Sequence, residues 1–363
     1  MKVLFVGNCL PFFPSGIVRG LKYFPLFRNA GITPSWISVN SATVQRLLGW
    51  LDTVIPNRKN PIGYFLRVLF HLPDIAVGFV AYIRVLAVAG KVERIVFQSV
   101  VPPVWVLFLL KRINPFFVFD FDDAIYVRHR KKTENIIRQA WKIFAGSHAL
   151  LEFSHRYNEA VILLPSTVDL EKFGISAKGK QPLRIGWLGS VSTRNQLDLL
   201  ITPLSKLTVL GYQFEFVVMG ANVSESWNSL RRKINVRSIP SYTDDEIPGL
   251  VSAIDIGVMP LYDTEAERGK CALKLIIYMA AGKAAVSSAV GEAVHIIEDG
   301  INGLLAADED DWVRHLRHLL DSETFRAQLG REGRQTVGSR YTLETGFTIF
   351  KNALFGDSVA DGE

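Results

Sequence analysis

Short apolar runs recur through this chain, six in each half, and segments of helical pattern separate them. Strands are predicted at 2–6, 35–39, 95–98, 116–121, 143–145 and 161–164, and again at 183–189, 214–219, 235–239, 254–259, 284–287 and 303–306. Between the runs of the second half lie helical patterns at 196–210, 244–252, 271–281, 292–298 and 309–320. Strands that alternate with helices in this way build βαβ units around a parallel sheet. The expected fold class is therefore α/β, with two Rossmann-like, doubly wound parallel sheets in tandem, and 363 residues suffice for two such cores. The segment 165–182, with Ser166, Gly174, Ser176 and Gly179 and little periodicity, reads as a linker. The expected division is 1–168, 169–340, and a last helical stretch at 341–363 that crosses back to the first domain and frays from Gly356 onward.

Disorder is excluded, because 48% of the residues are hydrophobic and only 21% charged. The formal charge of +6 is unevenly placed: residues 1–170 carry +10 and the remainder −4, and 16 of the 23 phenylalanines precede residue 171. Cys9 and Cys271 form neither a disulfide framework nor a CxxC metal site, which favours a reducing compartment. The apolar start mimics a signal peptide, but Pro11, Pro14 and Gly16 interrupt it, so a first strand running into a glycine loop fits better. Residues 62–90 are apolar yet broken by Arg67, His71, Pro73, Asp74 and Arg84, and 95–110 contains Pro102-Pro103. A spanning helix needs about 20 apolar residues, so no span is expected, and the chain is soluble or lies on a membrane surface. Trp50, Tyr64, Phe65, Arg67, Phe70, Tyr82 and Arg84 interleave aromatics with cations. They read as a membrane-interface signature or as core helices with ordinary basic faces.

Four segments are candidates for chemistry. The loop from Gly7 to Gly16, including Ser15, joins a strand to a helix and exposes backbone N–H groups to an anion, though its spacing fits neither the dinucleotide fingerprint nor the P-loop; Gly16 is otherwise a turn glycine. Gly189-Ser190-Val191-Ser192-Thr193-Arg194 makes the same junction in the second half, where hydroxyls and Arg194 suit a diphosphate; Ser192 or Thr193 would serve equally as an N-cap. In Glu267-Arg-Gly269-Lys270-Cys271-Ala272-Leu273-Lys274, the two lysines are four apart at the amino end of a helix. Cations there oppose the helix dipole unless an anion sits nearby; the alternative is two solvated surface lysines. Asp120, Asp122 and Asp123 end an apolar strand, where open α/β sheets bind ligands. The basic run with Arg128 and Arg130 follows directly, which argues for neutralisation or an anionic acceptor rather than a metal; Asp123 as a helix cap is the alternative.

Taken together, Gly186-Trp-Leu-Gly-Ser190, Asp255-Ile-Gly-Val-Met-Pro260, Lys274-Leu-Ile-Ile-Tyr278-Met-Ala-Ala-Gly282 and Glu298-Asp-Gly-Ile-Asn-Gly303 resemble GT-B glycosyltransferases, specifically glycosyltransferase family 4. Phe119–Ala124 and Val168-Asp169 fit as well. The resemblance implies two Rossmann-like domains facing across a cleft, a nucleotide-sugar donor, retention of anomeric configuration, and no metal or other cofactor. Cations and helix N-termini would stabilise the departing diphosphate. Carried over, Asp122, Lys270 and Lys274 are catalytic candidates. Gly189, Ser190, Ser192, Arg194, Glu267, Gly269, Cys271, Ala272, Leu273 and Tyr278 would face the donor, and Ser15, Gly16, Asp120, Asp123, Arg128 and Arg130 the acceptor. This chain departs from the family pattern where two glutamates are usual, at Gly269 and Ile277, and where Arg and Lys are usual, at Ser190 and Gln196. Lys270, Lys274 and Arg194 are expected to compensate.

The resemblance implies transfer of a sugar to a glycan or lipid-linked acceptor in bacterial cell-surface polysaccharide or glycoconjugate assembly, in the cytoplasm or peripherally on the inner face of the membrane. An anionic membrane surface is an expected partner and nucleic acid is not. The alternative is a catalytically inactive GT-B subunit that supports a partner transferase.

Overall fold

The computed structural model describes residues 1–8, 14–55, 60–174 and 182–356. Parts of the expected glycine loop (9–13), of the linker (175–181) and of the tail (357–363) lie outside the described residues. The chain forms two compact units, Met1–Leu164 with Phe347–Glu363, and Pro165–Gly346. The division thus falls four residues before the expected 168, and the chain returns at 347 rather than 341.

In the first unit β1 (Lys2–Gly7), β2 (Thr33–Ser38), β3 (Arg94–Gln98), β4 (Phe117–Phe121), β5 (Lys142–Ala145) and β6 (Val161–Leu163) form one sheet, ordered β2-β1-β3-β4-β5-β6. Every pairing is parallel. Its helices are α1 (Pro14–Arg19), α2 (Phe24–Asn29), α3 (Ala42–Val54), α4 (Pro61–Ala89), α5 (Val104–Ile113), α6 (Tyr126–Gln139) and α7 (His148–His155). One face of the sheet packs Leu4, Val6, Phe97, Phe117 and Phe119 against α4 and α5. The phenylalanine excess is used on the other face: Phe350, from the returning chain, meets Phe5, Phe27 and Phe144 edge-on at 5.1–5.8 Å. Arg94 and Lys142 donate to the carbonyls of Leu354 and Ala353 at 2.6 and 2.7 Å, placing cations at the carboxyl end of that last helix.

In the second unit β7 (Leu183–Leu188), β8 (Phe214–Met219), β9 (Asn235–Ile239), β10 (Ile256–Met259), β11 (Ala284–Ser288) and β12 (Leu304–Ala306) are ordered β12-β11-β10-β7-β8-β9, again all parallel. Its helices are α8 (Ile201–Val209), α9 (Ile247–Ser252), α10 (Glu265–Arg268), α11 (Leu273–Ala280), α12 (Ala293–Ile296), α13 (Glu309–Asp321) and α14 (Glu323–Arg340); α15 (Leu343–Phe355) starts in this unit and ends in the first. Strand order reverses between β1 and β3 in one unit and between β7 and β10 in the other, the positions where doubly wound sheets open a ligand crevice.

Two expectations are corrected. Residues 165–174 are no loose linker: Ser166, Thr167 and Val168 are buried, and Val168 bridges Thr342. Residues 61–89 are not broken up: α4 runs unbroken for 29 residues through Pro73, and is long and apolar enough to cross a membrane by length and composition. Asp74, taken as a breaker, accepts from Ser41 N at 2.6 Å and Gln45 Nε2 at 3.0 Å, so α4 spends its one carboxylate on the start of α3.

Candidate functional site

The candidate residues of the second unit gather where β7 ends. Gly189 follows β7 and donates to Met219 O at 2.8 Å, while its own carbonyl accepts from Tyr242 Oη at 2.9 Å. A Cβ at Gly189 would meet the Trp187 ring at 2.1 Å, so only glycine lets the indole lie there. Ser190 is the N-cap of the 3₁₀ stretch Val191–Leu200, the role that is the alternative for Ser192 or Thr193, and its N–H donates to Thr193 Oγ1 at 3.2 Å. Ser192 Oγ stands 2.9 Å from Ser190 Oγ. Arg194 is half-buried and makes no ion pair or hydrogen bond among the described residues.

Lys274 lies in the first turn of α11 and reaches across to this turn. Its Nζ donates to Thr193 Oγ1 at 3.3 Å and stands 4.6 Å from the Trp187 ring centre. Burial, joined by the neighbouring Lys270 charge, lowers its pKa to about 7 against a weaker opposing pull from Glu267. Lys270 pairs with Glu267 Oε2 at 2.5 Å. The alternative of two solvated surface lysines therefore fails for Lys274 and only partly describes Lys270. Gly269, Cys271 and Ala272 are buried and Leu273 half-buried, so what this segment can offer a ligand is chiefly backbone and lysine. Ala272 takes φ +50° at the N-cap of α11, a conformation that costs a residue with a Cβ about 1–2 kcal/mol.

Tyr278 stands apart from the other donor-side candidates. Its ring is fully buried, and its hydroxyl accepts from Leu188 N at 2.7 Å and donates to Val258 O at 3.3 Å. It has no surface to turn toward a ligand, and it ties the ends of β7 and β10 together. Gln196, where the family pattern has lysine, is also structural: it is buried and accepts from Tyr262 N at 2.7 Å. Ile277, at the missing glutamate position, is buried in the core.

In the first unit the three carboxylates have three different fates. Asp120 is fully buried and paired with Arg19 of α1, whose Nη2 lies 2.5 Å from Oδ1 and whose Nε reaches Oδ1 and Oδ2 at 3.0 and 3.1 Å. Arg19 Nη1 donates to Leu164 O at 2.8 Å, the last residue before the chain leaves the unit. Burial outweighs the guanidinium and raises the Asp120 carboxyl to about 6. Asp120 is thus corrected from an acceptor contact to a framework residue, and its neutraliser is Arg19, which the sequence reading did not single out. Asp122 is half-buried and accepts from Ser99 Oγ at 2.8 Å; Asp123 is exposed and is not the cap of α6, whose N-cap is Ile125. In the basic run, Arg130 pairs with Glu134 at 3.0 Å and Arg128 is exposed, while α6 breaks helical geometry at His129. Gly16 is buried within α1, beside Ser15.

Ser99 has φ +52°, and it and Ala272 are the two non-glycine residues with positive φ among those described. One holds Asp122, and the other opens the lysine-bearing helix. Backbone strain of this kind collects at functional sites, and it was invisible in the sequence because neither residue is Gly or Asn.

Residues 182–322 match the family model described as Glycosyl transferases group 1. D-inositol 3-phosphate glycosyltransferase of Salinispora arenicola (strain CNS-205) is 33% identical over 103 residues, which are 28% of this chain and 22% of that protein's length. Anabaena Alr3699/HepE, solved in complex with UDP and glucose, superposes with a TM-score of 0.67 at 14% identity, covering 98% of this chain and 99% of that one. The sucrose-phosphate synthase of Thermosynechococcus elongatus superposes with a TM-score of 0.69 at 14% identity, covering 97% and 98%. The chain has the GT-B fold.

Proposed function

We propose that this GT-B chain, with its glycosyl transferases group 1 segment, is a retaining, metal-independent glycosyltransferase that moves a sugar from a nucleotide-sugar donor to a glycan or lipid-linked acceptor. Bacterial cell-surface polysaccharide or glycoconjugate assembly is the setting that fits it, in the cytoplasm with acceptors presented at the inner membrane face. The observation that carries the reading is Lys274, an enclosed ammonium on Thr193 with Lys270 beside it at the amino end of α11. Such a cation is costly alone and stabilised by an anion, and the diphosphate of a nucleotide-sugar supplies one. In this reading Lys274, Lys270 and Arg194 neutralise the charge that develops on the leaving diphosphate, work done elsewhere by a divalent metal. Asp122, whose carboxylate accepts from Ser99, is the catalytic candidate of the first unit.

The test is a thermal-shift screen over UDP-, GDP- and other nucleotide sugars, followed by turnover with the donor that binds. The product anomer is read by NMR, and turnover is repeated with a chelator. A donor that shifts melting, a retained anomer and indifference to chelator are the expected results; inversion or chelator sensitivity would correct those two points. Ile277, buried where the family pattern has a glutamate, favours a second reading, the inactive subunit: failure to bind any nucleotide would favour it, and nucleotide-sugar binding with turnover would exclude it.

A further inference from the structure

The first unit turns apolar side chains outward along α4 and α5. Phe65, Val68, Leu72, Ile75, Phe79 and Ile83 follow helical spacing, so they form one stripe about 27 Å long. All are exposed, Phe65 by 63% and Ile75 by 67%. Phe79 meets Trp105 of α5 at 5.7 Å, which joins the stripe to exposed Val104, Phe108 and Leu109. Single exposed apolar residues are ordinary, but a continuous band of this length marks an interaction surface.

We propose that this face of α4 and α5 beds into the interface of an anionic bilayer, with α4 lying in the membrane plane. Charge identifies the partner. On α5, Lys111 and Arg112 lie three and four residues after Phe108 and so share its face, with the Arg112 guanidinium 3.6 Å above the Phe108 ring. Both cations are exposed. Asp74, the one carboxylate on the two helices, is engaged with Ser41 and Gln45. Apolar stripes flanked by long cations whose stems lie on aromatic surface suit anionic headgroups above acyl chains.

The sheet decides how α4 sits. The chain enters the α3–α4 hairpin from β2 and leaves it into β3, and both strands pair with β1. A spanning α4 would put those strands on opposite sides of the bilayer. Ala81, Tyr82, Val85 and Ala89 are moreover buried in the unit's core. The helix that is long enough to cross therefore lies flat.

Flotation of the full chain with phosphatidylcholine vesicles, with and without phosphatidylglycerol, tests this. The wild type is expected to float with the anionic vesicles far more than with the neutral ones. Phe65→Glu with Phe79→Glu should abolish flotation, and Lys111→Gln with Arg112→Gln should weaken it roughly fivefold per cation. These residues are exposed, and an unchanged circular dichroism spectrum and melting temperature in the same variants verify their fold. No flotation by the wild type, or unchanged flotation by the Phe65→Glu/Phe79→Glu variant, overturns the proposal. So does a dimer by light scattering that this variant splits and that never floats, which would assign the face to a second copy of the chain. The inference rests on the proposed function only for its use at membrane-side acceptors. Flotation needs no turnover, so a chain that floats without transferring sugar refutes the enzyme reading alone.

Discussion

The ammonium of Lys274 lies 4.6 Å from the centre of the Trp187 ring and donates to Thr193 Oγ1 at 3.3 Å, so its solvent has been exchanged for an indole face and one hydroxyl. Its pKa of about 7, down from the usual 10.5, sets the sign of two observables. In the unliganded protein, unfolding takes up a proton between pH 7 and 10.5, so stability rises with pH across that window, and Lys274→Met flattens the rise. A bound diphosphate restores the ammonium, so binding at pH 8 draws in a proton, approaching one per site, and draws in almost none at pH 6. Calorimetry in buffers of differing ionisation enthalpy reads the uptake. Lys274→Met should remove it and weaken nucleoside diphosphate binding by about 10–100-fold, the worth of one charged hydrogen bond. Equal uptake in both proteins would clear Lys274 of contact with the phosphates.

Ala272 spends its strain at the opening of the same helix. Ala272→Gly removes the Cβ penalty at φ +50°, though it loosens the unfolded chain. We expect a net gain of about 0.5–1 kcal/mol, read in urea, with donor affinity lowered because the first turn of α11 is no longer fixed. A rise in both would mean that the strain has no part in binding.

The strands and the donor-side motif were legible because both rest on local pattern: apolar runs bounded by turn residues, and cations at a helix start. Three features were not. α4 continues through Pro73, and its neighbour Asp74 has a partner 33 positions away, the N–H of Ser41 at the start of α3. Arg19 is one arginine in an unremarkable helix, and only the fold brings it to Asp120, 101 positions on. Tyr278 fits the family motif by position while its hydroxyl is consumed inside the unit, a fact of packing that spacing along the chain does not encode.

Asp120→Asn tests the buried pair of the first unit. It leaves the Arg19 guanidinium without a counter-charge, and breaking such a pair costs about 3–5 kcal/mol. Arg19→Met with Asp120→Leu removes both charges and should recover most of that loss, because two desolvated ions disappear together. Urea unfolding of the four proteins in a mutant cycle measures the coupling. A single Asp120→Asn cost below about 1 kcal/mol would contradict a framework role for the pair.

Tyr278→Phe separates a scaffold from a ligand contact. The lost hydroxyl leaves Leu188 N–H buried without its acceptor, at a cost of about 1–3 kcal/mol. Leu188 is one residue before Gly189, so slackening there is felt by the turn that carries Ser190 and Thr193. Well below the melting point the variant remains folded, and donor affinity should change less than about threefold, within 1 kcal/mol. Gly257→Ala attacks the same ring from beneath, since a Cβ there would meet Tyr278 carbons at 2.3 Å. Overpacking of that kind costs about 1–3 kcal/mol, and it should move stability in the same direction without touching any hydroxyl. If Tyr278→Phe instead leaves urea stability intact and loses donor binding tenfold or more, the hydroxyl faces the donor and the scaffold assignment fails.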